Sequence, residues 1–214
     1  MFRWLFSFTT MKEKVDIGDL INRIAHGIKK QFPNLSLDTI FDLFQFAEIL
    51  DVPKKSYFIT AGQFDRRVVF VIKGLFRAFY DKDGMEYTIW FRQEFDVYAS
   101  YSSILAEKKS TLTYQAIEDS IVMVISYDLL KEKAMEDMEV AKSIIVVLEG
   151  LMLELIESLE EYIMLNPEER FLKILEKKSG LFNRVPQHQL ASMLGITPES
   201  FSRLKNRLKN KEDG

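Results

Sequence analysis

Two spacings of apolar residues divide the chain. From Lys14 to Lys30 and from Ser36 to Leu50 they recur every three to four positions ("IGDLINRIAHGIKK", "LDTIFDLFQFAEIL"), which predicts two amphipathic helices, the second N-capped by Ser36. Between Lys55 and Ser126 the texture changes to short runs rich in β-branched and aromatic residues: "YFITAG", "RVVFVIKG", "LFRAFY", "EYTIWF", "LTYQAI" and "SIVMVIS". In "LFRAFYDKDGMEYTIWF" the pair Asp83-Gly84 tolerates positive φ between two alternating runs, so a hairpin is expected. The middle of the chain is predicted to be an antiparallel sheet or barrel.

From Asp137 to Leu165 only Gly150 interrupts a run free of Gly and Pro. Ile144, Leu148, Leu151, Leu155, Ser158, Tyr162 and Leu165 step by alternating fours and threes, a heptad seam with one polar break at Ser158. A helix of this length runs about 40 Å, longer than such a domain needs for itself. A two-stranded dimer seam is the preferred reading and a core helix across the sheet the alternative; Ile145, Met152, Ile156 and Leu159 widen the stripe enough for both. Asn166 as N-cap, Pro167 at the first helical position and Glu168 and Glu169 in the first turn then start a new helix directly after the old one. This is a candidate hinge. It divides the chain into 1–136 (helices and β-region), 137–165 (long helix) and 166–214.

The last segment contains "LASMLGITPESFSRLKNRL". With Gln187 as position 1 of a twenty-residue window, Ala191 falls at 5, Gly195 at 9 and Phe201 at 15, the spacing of a helix-turn-helix. Small Ala191 lets two helices approach, and Gly195 permits a left-handed turn. Leu190, Leu194, Ile196, Phe201 and Leu204 clamp the second helix on the first, while Thr197 caps it and Pro198 starts it. At 100° per residue, Phe201, Leu204 and Leu208 take one side of the second helix and Glu199, Ser202, Arg203, Asn206 and Asn210 the other. That outer face suits base edges: Arg203 for guanine, Asn206 for adenine, Glu199 for a cytosine amino group. Ser200, Lys205, Arg207 and Lys209 flank it at phosphate-contacting positions, and Gln187 and Thr197 stand at the two helix starts.

Charge supports this reading. Residues 166–214 hold ten Lys/Arg against six Asp/Glu, +4, leaving 19 against 26, −7, for the rest. A basic end on an acidic body fits a polyanion partner. Cysteine is absent, which removes disulfides, thiol nucleophiles and Cys-held metal centres, and an intracellular, cytoplasmic setting is expected. The apolar "MFRWLFSF" is too short for a signal peptide or a membrane span; a tail that packs locally or is disordered is expected, with no membrane association. Enzyme chemistry finds no support. The β-region holds no His for a cupin-type metal site, and neither "GxSxG" nor "GxxxxGK" occurs. A ligand-binding or protein-interaction module that does not read DNA is the competing function.

Taken in order, these features resemble the Crp/Fnr family of bacterial transcription regulators, over nearly the whole chain: N-terminal helices, a β-roll of the cyclic-nucleotide-binding type around "FVIKGLFRAFY", a long dimerisation helix, a hinge at "NPEERF" and the helix-turn-helix. The resemblance implies an α+β fold: an antiparallel, jelly-roll-like β-roll flanked by helices, then a dimerisation helix marked by Ile144, Leu148, Leu151 and Leu155, then a (winged) helix-turn-helix. It implies a homodimer on double-stranded DNA with a palindromic operator, RNA polymerase as a further partner, and no cofactor.

The effector region departs from the family pattern. Cyclic-nucleotide members carry a Gly-Glu pair and, about ten residues later, an Arg followed by Ser or Thr. Here Ala99 and Ser100 stand at the first pair, Ser110 and Thr111 at the second, and no Arg lies between Arg92 and Thr111. The planar fork that would hold a cyclic phosphate is missing, and Lys108 and Lys109 cannot replace it. Binding of cyclic AMP is expected to be weak or absent. A pocket lined by Tyr98, Ala99, Ser100, Tyr101, Ser110 and Thr111 would take an uncharged or differently charged effector, or none. The only imidazoles are His26 and His188, the latter expected on the surface. The chain ends at "KNKEDG" after the second helix, so wing contacts to phosphate are expected to be missing or confined to Leu181–Val185.

Overall fold

The structure, a computed structural model, describes residues 17–31, 33–34, 36–177 and 180–212; the apolar N-terminal tail lies outside them. Helices α1 (Ile17–Gln31) and α2 (Leu37–Phe44) precede strands β1 (Glu48–Val52), β2 (Tyr57–Ile59), β3 (Arg67–Lys73), β4 (Phe76–Lys82), β5 (Met85–Arg92) and β6 (Val97–Ala99). After α3 (Tyr101–Ala106) come β7 (Thr113–Ala116), β8 (Ser120–Ser126), α4 (Tyr127–Glu136) and α5 (Met138–Met164). The chain closes with α6 (Pro167–Lys177), α7 (Leu181–Arg184), α8 (Gln187–Leu194) and α9 (Pro198–Glu212).

The strands form two four-stranded antiparallel sheets, β1-β8-β3-β6 and β2-β7-β4-β5, that face each other as a β-roll. Valine-rich β3 and β8 read as continuous apolar runs because both of their faces are covered. Val69, Val71, Val122 and Val124 point into the roll; Phe70, Ile72, Ile121 and Met123 point out, under Ile24 and Ile28 of α1 and Val146 and Val147 of α5. Inside the roll, Tyr98 and Tyr114 stack at 4.5 Å and 12°, with Phe76 beside them. The β4–β5 hairpin turns on Asp83 (φ 56°) and Gly84 (φ 78°), two consecutive left-handed residues as a two-residue hairpin loop requires.

Several elements differ from the sequence expectation. The second helix does not reach Leu50: it ends at Phe44, capped at its start by the Ser36 hydroxyl, and Glu48–Val52 pairs with β8. "EILDV" has apolar residues on both pleat faces, and an available edge on β8, some seventy residues away in sequence, overrides its helical spacing. The short β6 and α3, three and six residues long, carry too little periodicity to be predicted, and the helix Tyr127–Glu136 is likewise not among the expected elements. The long helix has bounds close to those expected. Its residues toward the sheet are Ser143, Ile144, Val147 and Leu151, with Leu148 at the rim of the same cleft and half exposed, whereas Ile145, Met152, Leu155, Ile156, Leu159, Tyr162 and Ile163 lie uncovered. The uncovered stripe therefore runs 145-148-152-155-159-162, which avoids Ser158 and leaves Ile144 and Leu151 of the expected seam turned toward the sheet.

The outer face of the second sheet is covered by the C-terminal helices. Leu75, Phe91 and Ile117 join Phe171, Leu181, Val185, Leu190, Leu194, Phe201 and Leu204 in one core.

Candidate nucleic-acid interface

Helices α8 and α9 meet across a short left-handed turn. Gly195 (φ 71°) closes α8, its N–H donating to the carbonyls of Ala191 and Ser192, and Ala191 has no exposed surface, so the helices touch where only a methyl group fits. The Thr197 hydroxyl accepts from the Ser200 amide at 3.2 Å and caps α9. Phe201 and Leu204 are buried, Phe201 edge-on to Phe171 at 5.4 Å.

Opposite that clamp, Glu199, Ser202, Arg203, Lys205, Asn206 and Arg207 are exposed on α9, as are Gln187, His188 and Thr197; Ser200 is half-buried. Arg203 donates to the Ser200 hydroxyl at 3.1 Å, which extends the guanidinium along the outer face. Glu199 sits below the usual carboxylate value because its own amide and the Thr197 hydroxyl hydrogen-bond to it, so it is an acceptor at neutral pH. Arg207 is held by Glu168 at the start of α6. Ionic contacts of this kind are weak at a surface, and a phosphate competes for the same guanidinium.

The junction before this unit is braced on both sides. Asn166 Oδ1 accepts from the amides of Glu168 (2.9 Å) and Glu169 (3.1 Å), and Glu169 accepts from the Asn166 amide at 2.8 Å, a reciprocal capping box. Arg170 donates to the carbonyls of Leu165 and Leu194, tying the α5–α6 junction to the end of α8. Lys173 and Lys177 pair with Glu161 on α5. Partial burial works to raise the Glu161 carboxyl, but the two lysines outweigh it and hold it low.

A second set of contacts fixes α8 against the roll. The Ser192 hydroxyl donates to the Glu86 carbonyl and accepts from the Thr88 amide, both at 2.9 Å. Arg184, within the segment expected to offer wing contacts, instead bridges Glu94 (2.7 Å) and Glu118 of the roll. These carboxylates raise the guanidinium pKa further. No strand follows β8 among the described residues, so the helix-turn-helix carries no β-wing there.

The expected effector residues differ in exposure. Tyr98, Ala99, Ser100 and Ser110 are buried, Tyr101 is half-buried and Thr111 is exposed. The Ser100 hydroxyl bonds that of Ser103 at 2.9 Å and Ser110 donates to the Leu112 carbonyl, so both are internally satisfied. The Tyr98–Tyr114 stack lies inside the roll. Sequence reasoning missed Arg92, whose side chain is 4% exposed and reaches both carboxylate oxygens of Glu154 on α5 at 2.7 Å. Burial works against its charge, but Glu154 and Asp96 outweigh that and keep it protonated. An arginine two residues after Trp90 on an alternating strand was the available signal. Period two would also have put Thr88 on that face. A bulge between the Ala78 and Phe79 pairings turns Thr88 to the outside, where Arg77 meets it at 2.7 Å.

Among the described residues no group of three or more His, Asp or Glu is placed to hold a metal ion, and no helix is long and apolar enough to cross a membrane. No family model matches the sequence, and no curated protein does. Solved structures share its fold. FixK2 from Bradyrhizobium japonicum is 20% identical, with 78% of this chain and 86% of that one covered at a TM-score of 0.64. The c-di-GMP-responsive global regulator CLP of Xanthomonas campestris is 14% identical over 83% and 93%, TM-score 0.67. A CooA mutant from Carboxydothermus hydrogenoformans is 19% identical over 79% of each chain, TM-score 0.60. The α+β arrangement expected from the family resemblance, a β-roll followed by helices, is thus the fold of this chain.

Proposed function

We propose that this chain is a homodimeric, sequence-specific DNA-binding transcription regulator of Crp/Fnr type, working in the cytoplasm, with α9 as the recognition helix. The observation that carries the reading is the division of α9: Phe201 and Leu204 are sealed into the core while Glu199, Ser202, Arg203, Asn206 and Lys205 form an uninterrupted polar face. A helix needed only to close a core has no use for a bidentate donor, an amide and an acceptor aligned on its outside. The uncovered apolar stripe of α5 supplies the dimer contact, and two-fold symmetry then sets a roughly palindromic operator with half-sites about 34 Å apart. RNA polymerase is the further partner. Cyclic AMP is not the effector, since the phosphate-binding Arg is absent and the roll interior is occupied by aromatic rings. Switching acts through Asn166–Glu168, where reorientation of α6 requires the Arg184 and Ser192 contacts with the roll to break.

Selection of bound sequences from a random duplex pool tests the reading, followed by the same selection with Arg203→Ala. The expected result is enrichment of a two-fold symmetric site, with the variant losing about 1–3 kcal/mol of discrimination at one base position per half-site. No enrichment by the wild type, or equal affinity of both proteins for every duplex at low and moderate salt, refutes it in favour of an interaction module.

A further inference from the structure

Between the outer face of β3, β6 and β8 and the helices lies an apolar cleft of about 210 Å³, walled by Phe70, Val97, Met123, Ile144, Val147 and Leu151. Its residues on α5 lie on one helix face, and Glu154 follows Leu151 on that face one turn further, roughly 4.5 Å along the axis. The cleft thus leads to the Glu154–Arg92 pair. Tyr101 stands at the junction: its ring lines the cleft, and its hydroxyl feels Tyr114, Arg92 and Glu154.

Around Arg92 the polar groups are unevenly served. Glu154 takes Nη1 with both oxygens, but Arg92 Nε and the Tyr101 hydroxyl are buried without a hydrogen-bond partner, and the Trp90 indole nitrogen and the Tyr114 hydroxyl have only each other. The Arg92 guanidinium lies over the Trp90 ring at 5.2 Å, and Trp90 and Tyr114 flank Ala78 in one row across three strands. Groups able to donate therefore remain spare around Arg92, where one carboxylate uses a single nitrogen. Buried donors left in this way are costly, and a second acceptor satisfies them.

We infer that the cleft and this cluster form one binding site for a small amphiphilic monocarboxylate, its apolar body in the cleft and its carboxylate on Arg92 in place of Glu154. Arg92 is too buried to stand without a counter-ion, so exchange is one carboxylate for another. Glu154, whose side chain is 40% exposed, regains water when it leaves. An apolar cavity of about 150 Å³ already admits a benzene ring, so this cleft takes an aryl group or an alkyl chain of roughly six to eight carbons, and not a nucleotide. A monoanion matches the single guanidinium, while a phosphate dianion would carry uncompensated charge. Exchange also unties β5 from α5, whose far end reaches the hinge; this regulatory consequence alone rests on the DNA-binding reading.

The test titrates octanoate, 1-octanol and acetate into the full chain carrying Trp4→Phe, with Trp90 fluorescence and calorimetry as readouts. Octanoate should saturate, with the alcohol and acetate at least about tenfold weaker, since one lacks the charge and the other the apolar body. Arg92→Lys should weaken octanoate by about tenfold or more through loss of the fork. Glu154→Gln leaves Arg92 without its counter-ion in the free protein, so it should lower the melting temperature in the absence of ligand and bind octanoate more tightly, because the internal competitor has lost its charge. Equal binding of octanoate and octanol, no binding of octanoate, or an unchanged affinity in Glu154→Gln overturns the site. Octanoate binding that leaves operator affinity unchanged overturns only its link to the hinge, and an operator that is never found while octanoate still binds counts against the DNA-binding reading alone.

Discussion

Which face of α5 carries the proposed dimer contact can be decided by two neighbouring substitutions. Met152 is 57% exposed and lies in the uncovered stripe, whereas Leu151 lines the cleft against the sheet. Complete burial of such a side chain contributes about 1.5–3 kcal/mol, so an Met152 that still has somewhat over half its surface to bury gains about 1 kcal/mol per protomer on association. Met152→Ala therefore costs the dimer about 2 kcal/mol, or about 30-fold in its dissociation constant. Met152→Glu adds two facing, desolvated carboxylates at several kcal/mol each and should leave monomers at micromolar concentration. Leu151→Ala removes intrachain packing instead and should lower unfolding stability by about 1–2 kcal/mol with less than about a threefold change in association. Sedimentation equilibrium reads the dimer and urea unfolding reads the fold, at one fixed concentration because association adds to apparent stability. A wild type that stays monomeric at about 100 μM, or a dimer broken by Leu151→Ala and not by Met152→Ala, refutes the reasoning; the second outcome would place the seam where the bare heptad count puts it.

Other outcomes follow from the same geometry. Phe201→Ala should destabilise the C-terminal unit by about 3–5 kcal/mol, read by thermal unfolding, because its ring is fully enclosed and meets Phe171 edge-on. Asn166→Ala removes the acceptor for two amides and should cost about 1 kcal/mol, with Asn166→Asp restoring most of it. Glu94 is held below the usual carboxylate value: partial burial works to raise it, but Arg184 and the Gly74 amide outweigh that. A depressed folded pKa gives stability that is complete above the unfolded value of about 4.3 and is lost as pH falls through the folded one. Urea midpoints at pH 7 and below pH 4 should therefore differ more for the wild type than for Arg184→Gln. Gly27→Ala would place a methyl carbon 2.2 Å from the Phe95 ring, so loss of helical signal or a lowered melting temperature is expected.

Much of the helix-turn-helix was legible because its information is local. Ala191, Gly195, Thr197 and Phe201 each satisfy a requirement of one turn and two adjoining helices, and the polar face of α9 follows from helical periodicity alone. The hairpin at Asp83-Gly84 was readable for the same reason. The Arg92–Glu154 pair, beside the segment expected to hold an effector, was not. That segment showed which charges were missing, but Arg92 and Glu154 are 62 residues apart and meet only when β5 and α5 cross, so no spacing rule could pair them.

By itself the sequence determined the order of elements, the long helix, the capped hinge and the residues that α9 turns inward and outward, since helix and turn preferences act over a few residues. Only the tertiary structure decided that Glu48–Val52 leaves the helix for an edge of β8, and that a bulge in β5 sends Thr88 outward and Trp90 inward. It also decided which residues of α5 remain for a partner. A helix can rotate about its axis without altering its own hydrogen bonds, so the heptad count allowed neighbouring registers. Packing of Val147 and Leu151 against the sheet, with Arg92 gripping Glu154, selects the one that leaves Ile145, Met152 and Leu159 uncovered.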